Sequence, residues 1–494
     1  MALLLMLASP GARASDEQAL RIGSKRFTES YILAEVLAQT AAPHLRQRPE
    51  LRQGLGNTAV VYEALRSGSI DLYVEYTGTI ALEILKSPQP LSLQAMQAGL
   101  QPLGLGVAVP LGFNDGYAFA MRAERAQQLG IRSLSDLARH PELKLGLSNE
   151  FIGRADGWRG VAQRYGLKQS PTGLDHGIAY EAIGAGQVDV IDIYTTDAKI
   201  DHLGLVVLQD DLGHFPRYDA MLLYRLDVPQ RLPQAWAALQ QLEGRIDERA
   251  MIGMNARAEL QGTDFATIAR EFLTGKTPTA SNKQEARGFV AKLLGPDLAR
   301  LARQHLMLVF VSVGLATLIG LPLAIAVFTH LRLRAVVLGA TGLLQTVPSL
   351  ALLAVLISLL GAIGTLPALI ALTLYSLLPI MRNAVTGLAE VPAGVKQAGQ
   401  ALGLSGAQNL WLVQLPLALP TLIAGIRTAT TIAIGTATIA AFIGAGGFGE
   451  RIVTGLALND RALLMAGAVP AAALALLSEL LFEGLEMLMR RWRG

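Results

Sequence analysis

The hydrophobic pattern divides the chain into two halves with different periods. Over residues 20–294, short apolar or β-branched runs alternate with longer runs of helical period, as in LRIGS, ESYILAEVLAQTAA and IDLYVEY. This alternation predicts an α/β domain over 20–295. LKLGLSN and VDVIDIY predict further buried strands, each followed by polar residues. Because an open parallel sheet places its ligand-facing loops at those strand ends, we expect functional residues just after the strands.

The second half is apolar over lengths that suit a membrane. Crossing the hydrocarbon core takes roughly 20 apolar residues, and five segments come close to that length. They are 306–328, 336–360, 363–381, 417–443 and 463–485. The polar, turn-rich segment TGKTPTASNKQEARGF, followed by a helix with Lys292, Arg300 and Arg303, separates the halves. We therefore predict a linker that reaches through 296–305 and a transmembrane domain over 306–494.

Charge follows the same division. From residue 306 onward there are 10 Lys/Arg and 6 Asp/Glu, against 32 and 33 before it. The excess of basic over acidic residues that gives the overall charge of +3 therefore lies around the apolar spans, where positive residues mark the cytoplasmic side. It does not indicate nucleic-acid binding. The chain has no cysteine, which excludes disulfides and thiolate chemistry.

The basic residues also predict an orientation. If the first half is extracytoplasmic, only Arg451 and Arg461 fall in an outer loop. The seven basic residues in cytoplasmic segments are then Arg332, Arg334, Arg382, Lys396, Arg490, Arg491 and Arg493. The positive-inside rule thus predicts a multi-pass protein of a bacterial inner membrane with a periplasmic N-terminal domain and a cytoplasmic C-terminus.

The first residues, MALLLMLASPGARAS, predict a secretory signal over 1–15. They combine an apolar run with Ala12-Arg13-Ala14, which matches a small-x-small cleavage pattern. The basic start that such signals carry is missing, so a misplaced start codon or a disordered end are the alternatives.

A polar segment between the third and fourth spans has a regular pattern: VPAGVKQAGQALGLSGAQNLWLVQLPLALP. Residues 395–402 predict a helix, Gly403 is a natural stop, and 407–414 predict a second short helix that ends at Pro416. The segment resembles the coupling motif of ATP-binding-cassette importer permeases, which reads Glu-Ala-Ala, then Gly, then Leu-Pro. The matching positions here are Gln397, Ala398, Gly399, Gly403, Leu415 and Pro416.

That resemblance implies coupling helices near 392–416 that seat in a cytoplasmic ATPase subunit, and an ordinary amphipathic connector is the alternative. The chain has no phosphate-binding loop of its own: around Gly275-Lys276-Thr277 the required first Gly is Arg270. We therefore expect ATP and Mg on a separate ATPase dimer and no cofactor on this chain. Seven scattered histidines show no metal-ligand spacing, so neither a metal site nor an enzyme is expected.

Five motifs in the first half resemble the binding proteins for glycine betaine, choline and related osmoprotectants. They are IGSKRFTESYILAE, GNTAVVYEALRSGSIDLYVEYTGT, FNDGYAFAMR, IDIYTTDAKI and DDLGHFPRYDAMLL. The second half is similar to that family's permease at LPLALPTLIAGIRTATTIAIGTATIAAFIGAGGFG. The resemblance implies a two-lobed α/β periplasmic binding protein fold of type II. An all-α permease of about five spans, of the MetI-like type I importer class, is expected to follow it.

The resemblance also implies site residues, and their chemistry suits a quaternary ammonium. Such a group is held by aromatic faces, each contributing roughly 0.5 to 2 kcal/mol. The family's cage positions correspond to Tyr76, Tyr117, Tyr194 and Tyr218, which we call the aromatic cage. Asp115 is expected to add a negative charge beside the cation. Donors for a carboxylate at the other end of the solute are expected from Lys25, Thr79 and Arg154.

Each of these residues has an ordinary alternative. Any of the tyrosines can be a core residue with a satisfied hydroxyl. Arg154 can pair with Asp156, and Lys25 can be a solvated surface charge. In the fourth span, Arg427 indicates a pathway, a buried pair or a side chain that reaches the interface.

Together these features predict the membrane component of an ATP-driven importer for glycine betaine, choline, carnitine or a similar osmolyte. Import of ergothioneine or another betaine-like solute is the alternative, and a ligand-sensing receptor is a less favoured one. The expected partners are the solute, membrane lipid, two ATPase subunits and a second copy of the permease domain, because five spans do not usually enclose a pathway alone.

Overall fold

The computed structural model describes residues 19–493 except 88, 155, 276–287 and 458–459. The predicted signal over 1–15 and most of the polar segment at 274–289 lie outside the described residues. The described part consists of two α/β lobes followed by a helical membrane half.

Ten strands form one five-stranded sheet in each lobe. They are β1 (Arg21–Gly23), β2 (Glu50–Arg52), β3 (Leu72–Tyr76), β4 (Leu105–Asn114), β5 (Tyr117–Arg122), β6 (Leu145–Ser148), β7 (Thr172–Leu174), β8 (Val190–Tyr194), β9 (Leu205–Leu208) and β10 (Asp219–Arg225). The order is β2-β1-β3-β10-β4 in lobe one and β7-β6-β8-β5-β9 in lobe two. In each sheet the fourth strand arrives from the other lobe and runs antiparallel to both neighbours. The two crossings form a hinge, which confirms the predicted two-lobed fold.

Helices cover both faces of these sheets. They are α1 (Thr28–Ala41), α2 (Thr58–Arg66), α3 (Thr77–Thr79), α4 (Leu93–Leu100), α5 (Ala123–Leu129), α6 (Asn149–Gly153), α7 (Trp158–Tyr165), α8 (His176–Gly184), α9 (Lys199–His202), α10 (Val228–Arg231), α11 (Pro233–Gln240), α12 (Glu248–Glu259), α13 (Phe265–Thr274) and α14 (Phe289–Leu293). All five residues of β3 are buried, as expected for a strand covered on both sides. The strands predicted from LRIGS, IDLYVEY, LKLGLSN and VDVIDIY are β1, β3, β6 and β8, and ESYILAEVLAQTAA lies in α1.

The membrane half is entirely helical in the described residues. Its helices are α15 (Leu298–Val327), α16 (Leu331–Thr346), α17 (Ser349–Leu360), α18 (Thr365–Ala389), α19 (Ala393–Ala401), α20 (Gly406–Asn409), α21 (Leu415–Ala437), α22 (Gly449–Ala457) and α23 (Arg461–Arg493). Four are long and apolar enough to cross a membrane, or five if α16 and α17 together count as one span. This confirms a helical permease-type domain of about the predicted number of spans.

The span predicted at 336–360 is present as a bent pair of helices. It is divided between α16 and α17, which meet at 100°. The break falls at Val347 and Pro348, and proline disfavours helical backbone at the residue before it. Val347 is accordingly extended, with ψ 128°.

Three further boundaries differ from the sequence prediction. The helix predicted to carry Lys292, Arg300 and Arg303 is divided, with Lys292 in α14 and both arginines in α15. Residues 298–305 of the predicted linker are the first turns of α15, because LARLARQH consists mostly of good helix formers. The span predicted at 417–443 leaves α-helical geometry after Ala437, and residues 439–443 form a 3₁₀ turn before Gly444. The second coupling helix does not end at Pro416, since residues 410–414 continue it through a π turn into α21.

Close backbone approach holds the centre of the membrane half together. Helix α18 packs against α15 and α21. A Cβ on Gly425 would lie 2.7 Å from the Asn383 Cβ and 3.0 Å from the Pro379 oxygen. Gly387 is similarly close to Ala418 and Thr421. Small residues at such crossings are typical of helices that pack within a membrane.

Candidate functional site

All eight residues predicted to bind solute line one cavity between the lobes. They come from the strand ends that the sequence pattern indicated: Lys25 follows β1, Tyr76 ends β3, and Tyr194 ends β8. Asp115 and Tyr117 lie at one lobe crossing and Tyr218 at the other. Residues that are far apart in the chain therefore meet at the hinge. Phe27 and Glu150, which sequence reasoning missed, complete the wall.

The aromatic rings form a continuous chain around the cavity. The Tyr117 ring centroid lies 5.1 Å from that of Tyr194 and 5.7 Å from that of Tyr218. Phe27 links the remaining members, at 5.3 Å from Tyr194 and 6.4 Å from Tyr76. The signal for Phe27 was its place two residues after Lys25, in the loop between β1 and α1. It adds a fifth face to the aromatic cage.

In this structure the protein's own cations lie on the cage rings. The Arg154 guanidinium is 5.0 Å from the Tyr117 centroid, and the Lys25 ammonium is 5.1 Å from that of Tyr76. The cavity measures about 20 Å³, which is room for about one water molecule. A quaternary ammonium can therefore enter only if the lobes move apart.

Arg154 makes the pair with Asp156 that was its structural alternative. Its Nε and Nη2 each donate to an Asp156 oxygen at 2.7 Å, and both side chains are buried. Burial acts to raise the pKa of Asp156, but the Arg154 hydrogen bonds outweigh it and leave the pKa lowered. The remaining Nη1 points to the Thr79 hydroxyl in lobe one at 3.4 Å. The same side chain is thus paired within lobe two and directed across the cleft.

Lys25 is not a solvated surface charge, so that alternative is wrong. Its Nζ lies 2.5 Å from Glu75 Oε1, and both side chains are buried. The Tyr73 hydroxyl donates to the other Glu75 oxygen at 3.1 Å. The pair holds the ammonium against the cavity, where it also faces the Tyr76 ring.

Asp115 belongs to a carboxyl pair that shares a hydroxyl. Thr196 Oγ1 lies 2.6 Å from Glu29 Oε2 and 2.8 Å from Asp115 Oδ1. A hydroxyl has one proton to donate, so one of the two carboxyls must donate in return and be protonated. Burial raises the pKa of Glu29 to about 7, and burial with the Glu29 charge raises that of Asp115 well above its usual range. Asp115 is consequently a weaker anion than the sequence suggested.

Glu150 presents a carboxylate that sequence reasoning missed. It lies in the first turn of α6, directly after β6, where the pattern placed functional residues. Its Oε1 accepts from the Thr58 hydroxyl of lobe one at 3.3 Å. Within the described residues no basic side chain forms an ion pair with it, and no cluster of three His, Asp or Glu there could hold a metal ion. Glu150 is therefore a charge available to a cation at the cage.

The predicted coupling segment forms two short helices joined at Gly403, whose φ is +84°. The Gly399 position, where the family motif has Ala, meets Asn409: a Cβ there would lie 3.1 Å from Oδ1. The Asn409 amide donates to the Lys396 carbonyl at 2.8 Å and ties the helices together. Gln397 and Ala398 are exposed, and Leu415 and Pro416 begin α21.

Large apolar side chains project from this segment. Leu402 is 83% exposed, and Trp411 and Leu412 are exposed beside it.

Within the fourth span, Arg427 forms ion pairs with Glu479 and Glu486 of α23. Of the three alternatives for Arg427, the structure thus shows a pair with a neighbouring helix, although the Arg427 and Glu479 side chains are about one third exposed, at 30% and 34%, and not buried.

Comparison with known proteins covers both halves. Residues 18–275 match the model of the substrate binding domain of the ABC-type glycine betaine transport system. Residues 316–493 match the inner membrane component of binding-protein-dependent transport systems.

Three curated relatives are each similar to part of the chain. An ergothioneine transport permease/ergothioneine binding protein of Helicobacter pylori is 31% identical over 55% of this chain. The match spans about half, 51%, of the length of that relative. An osmoprotectant import permease protein of Salmonella typhimurium is 45% identical over 39% of this chain and 91% of its own. A glycine-betaine-binding protein of Pseudomonas aeruginosa is 34% identical over 52% of this chain and 87% of its own length. The chain therefore belongs to the family of ABC-type glycine betaine importers, with the substrate-binding domain and the membrane permease fused in one polypeptide.

Proposed function

We propose that the chain captures a small quaternary-ammonium osmolyte in the aromatic cage and transfers it through its own membrane half. The observation that carries this proposal is the convergence of the eight predicted residues, with Phe27 and Glu150, on one cavity at the hinge. Five aromatic faces, and the Glu150 carboxylate that pairs with no basic side chain in the described part of the chain, suit a cation that cannot donate strong hydrogen bonds. Glycine betaine, choline and carnitine share that group.

Calorimetric titration of the purified full chain tests solute capture. The panel contains glycine betaine, choline, carnitine and ergothioneine, the last because one relative, 31% identical over 55% of this chain, is named for it. Binding of at least one solute is expected, whereas binding of none contradicts the proposal. The pattern across the panel also separates an osmolyte importer from an ergothioneine importer.

Substitution of single rings tests the cage itself. Tyr117→Ala and Tyr194→Ala each remove a face, so each is expected to weaken binding about 2- to 30-fold. The Phe variants keep the face and are expected to retain most of the affinity. Tyr224→Ala is the control, because that ring packs on Trp236 away from the cage. Equal affinity for all variants would exclude a cation held by these rings.

ATP hydrolysis by a separate subunit is proposed to drive transport. The exposed Leu402, Trp411 and Leu412 are the proposed contact surface, since large apolar side chains on a polar segment suit burial against a partner. This requires the segment at 392–416 to be cytoplasmic and the lobes to be periplasmic. A second copy of the membrane half is proposed to complete the pathway.

Leu402→Asp tests the contact. A charge at this site is expected to abolish co-purification of the ATPase subunit and solute uptake, while calorimetric binding of solute stays unchanged. A sensor that does not transport would show solute binding without ATP-dependent uptake even in the unaltered chain. Thiol labelling of Gln408→Cys from the periplasmic side of intact cells would contradict the proposed orientation.

A further inference from the structure

A second cavity adjoins the aromatic cage. Its wall shares four residues with the cage cavity: Lys25, Phe27, Glu150 and Tyr194. It measures about 230 Å³, against about 20 Å³ for the cage cavity. We call it the cleft cavity, and its remaining wall includes Arg26, Gly56, Asn57, Asp175 and His176.

The far wall of the cleft cavity touches the membrane half. The Arg26 guanidinium lies 4.7 Å from the ring centroid of Phe442, just beyond the end of α21. A Cβ on Gly56 would lie 3.6 Å from the Phe442 carbonyl oxygen. Next to this contact, Leu55 packs on Gly444, where a Cβ would meet it at 2.8 Å. The cleft cavity therefore lies between the cage and the end of the fourth span.

One guanidinium joins three parts of the molecule. Arg26 belongs to lobe one, and its Nη2 pairs with Asp175 Oδ2 of lobe two at 3.2 Å. Asp175 also caps α8, accepting from the Gly177 amide at 3.1 Å. Helix α8 in turn packs against α22 of the membrane half. Separation of the lobes would break this pair at the point where both lobes touch the membrane half.

The walls of the cleft cavity suit the same cationic group as the cage. Phe27 and Tyr194 present rings to both cavities. The cations of the wall are each paired with a carboxylate: Lys25 with Glu75 at 2.5 Å, Arg26 with Asp175 at 3.2 Å and His176 with Asp197 at 2.9 Å. Glu150 lies at the boundary and has no ion pair within the described residues. The aromatic faces attract a quaternary ammonium through their quadrupoles, and the Glu150 carboxylate attracts it by its charge.

We propose that the cleft cavity is a transit site, in which the cationic group of the solute binds after it leaves the cage and before it enters the membrane half. The Arg26–Asp175 pair, seated on Phe442, is the gate of this site. The proposal rests on the proposed function for the class of solute. The preference of the cleft cavity for a cation can be tested independently of the proposed function.

The absence of cysteine from the chain allows a direct test on the full chain. Asn57→Cys places a thiol in the cavity wall, at a helix N-cap whose side chain makes no capping bond. Its reaction rate is measured with a trimethylammonium methanethiosulfonate and with neutral methyl methanethiosulfonate. Ala59→Cys is the matched control, being exposed on the same helix and outside the cavity wall.

The ratio of cationic to neutral rate is expected to be about two- to fivefold higher at Asn57→Cys than at Ala59→Cys, the size of one partly exposed charge interaction. Adding Glu150→Gln to Asn57→Cys is expected to remove that excess. Equal ratios at the two positions, or an excess that survives Glu150→Gln, would overturn the transit site. This readout does not depend on which solute the cage binds.

The gate is tested by comparing binding with uptake. Arg26→Gln and Asp175→Asn each break the interlobe pair, so glycine betaine uptake is expected to fall while calorimetric affinity for glycine betaine is retained. Retained affinity also shows that the variants fold. Unchanged uptake, or uptake and affinity that fall together, would overturn the gate. Failure of the proposed function differs from both outcomes, because the unaltered chain would then bind no solute of the panel.

Discussion

The two halves of the chain differ in whether their helices bury leucine side chains or expose them. In lobe one, Leu37 of α1 is 1% exposed and contributes to the core. In the membrane half, Leu318 of α15 and Leu481 of α23 are more than 70% exposed. Burial from water stabilises a fold by roughly 25 cal/mol per Å² of apolar surface, whereas lipid tails are as apolar as leucine. The surrounding solvent decides which face of an apolar helix points inward.

The halves also differ in what fills their centres. Between the lobes, charged side chains are buried as pairs and networks, such as Arg154 with Asp156. Between the spans, glycines such as Gly425 let helices approach closely. A change of charge should therefore damage the first half most, and a change of volume at a glycine should damage the second.

Asp156→Ala is expected to have the largest effect. It leaves the Arg154 guanidinium buried without its partner, which costs about 3–5 kcal/mol of unfolding free energy. The exposed pair of Arg217 and Asp219 is the control, and Asp219→Ala is expected to cost no more than about 1 kcal/mol. Urea unfolding followed by tryptophan fluorescence measures both. Similar losses for the two variants would show that burial does not distinguish these pairs.

The same substitution in each half tests the leucine comparison. Leu37→Ala leaves a cavity in lobe one and is expected to cost about 2–5 kcal/mol. Leu318→Ala removes a side chain from an exposed face of α15 and is expected to cost less than about 1 kcal/mol in detergent. Thermal unfolding of the two variants gives the comparison. A larger loss for Leu318→Ala would mean that this face packs against protein.

Gly425→Ala tests close packing in the membrane half. The added methyl group would press on Asn383 and the Pro379 carbonyl, and such overpacking costs about 1–3 kcal/mol. Gly435→Ala on the same helix is the control, since a Cβ there meets nothing within 4 Å. Detergent melting curves should be lowered only for Gly425→Ala, with solute binding unchanged in both variants.

The stability of the first half is also expected to depend on pH. Burial, aided by the charge of Asp197, raises the pKa of Glu29 from 4.5 to about 7. Hydrogen bonds from Thr196, Tyr76 and Asn255 act in the opposite direction but are outweighed. The folded state therefore holds a proton that the unfolded chain releases, and this contribution is fully present below pH 4.5.

Stability is accordingly expected to fall as pH rises from 4.5 to 7, and Glu29→Gln should flatten that slope. The His176 pKa, which the Asp197 carboxylate raises to about 9 against the effect of burial, adds a fall at higher pH that Glu29→Gln leaves in place. Melting temperatures at a series of pH values test this, with the exposed Glu124→Gln as the control. Identical slopes for both variants would assign the dependence to other groups.

The elements of the fold that could be predicted have local signals. The strands β1, β3, β6 and β8 were evident as short apolar runs, and the spans as long ones. The bend between α16 and α17 was missed because hydrophobic length alone does not register a change of direction. Pro348 was the available signal, and the rule for the residue before proline would have placed the break there.

The candidate site shows the same limit. The family resemblance identified eight residues of its wall, but it assigned no role to Phe27, which lies inside IGSKRFTESYILAE, or to Glu150, which lies outside the five motifs. The role of Arg26 depends on Phe442, more than 400 positions away in the chain. No local pattern connects those two residues.

By itself the amino-acid sequence determined that a water-soluble α/β half precedes a membrane half, and that polar residues gather at strand ends. It could do so because period, run length and turn chemistry are properties of neighbouring residues. Only the tertiary structure decided which charges pair, which rings share a cavity and where the lobes touch the spans. Those outcomes depend on distances between side chains such as Arg154 and Thr79, which lie 75 positions apart and meet only when the lobes pack together.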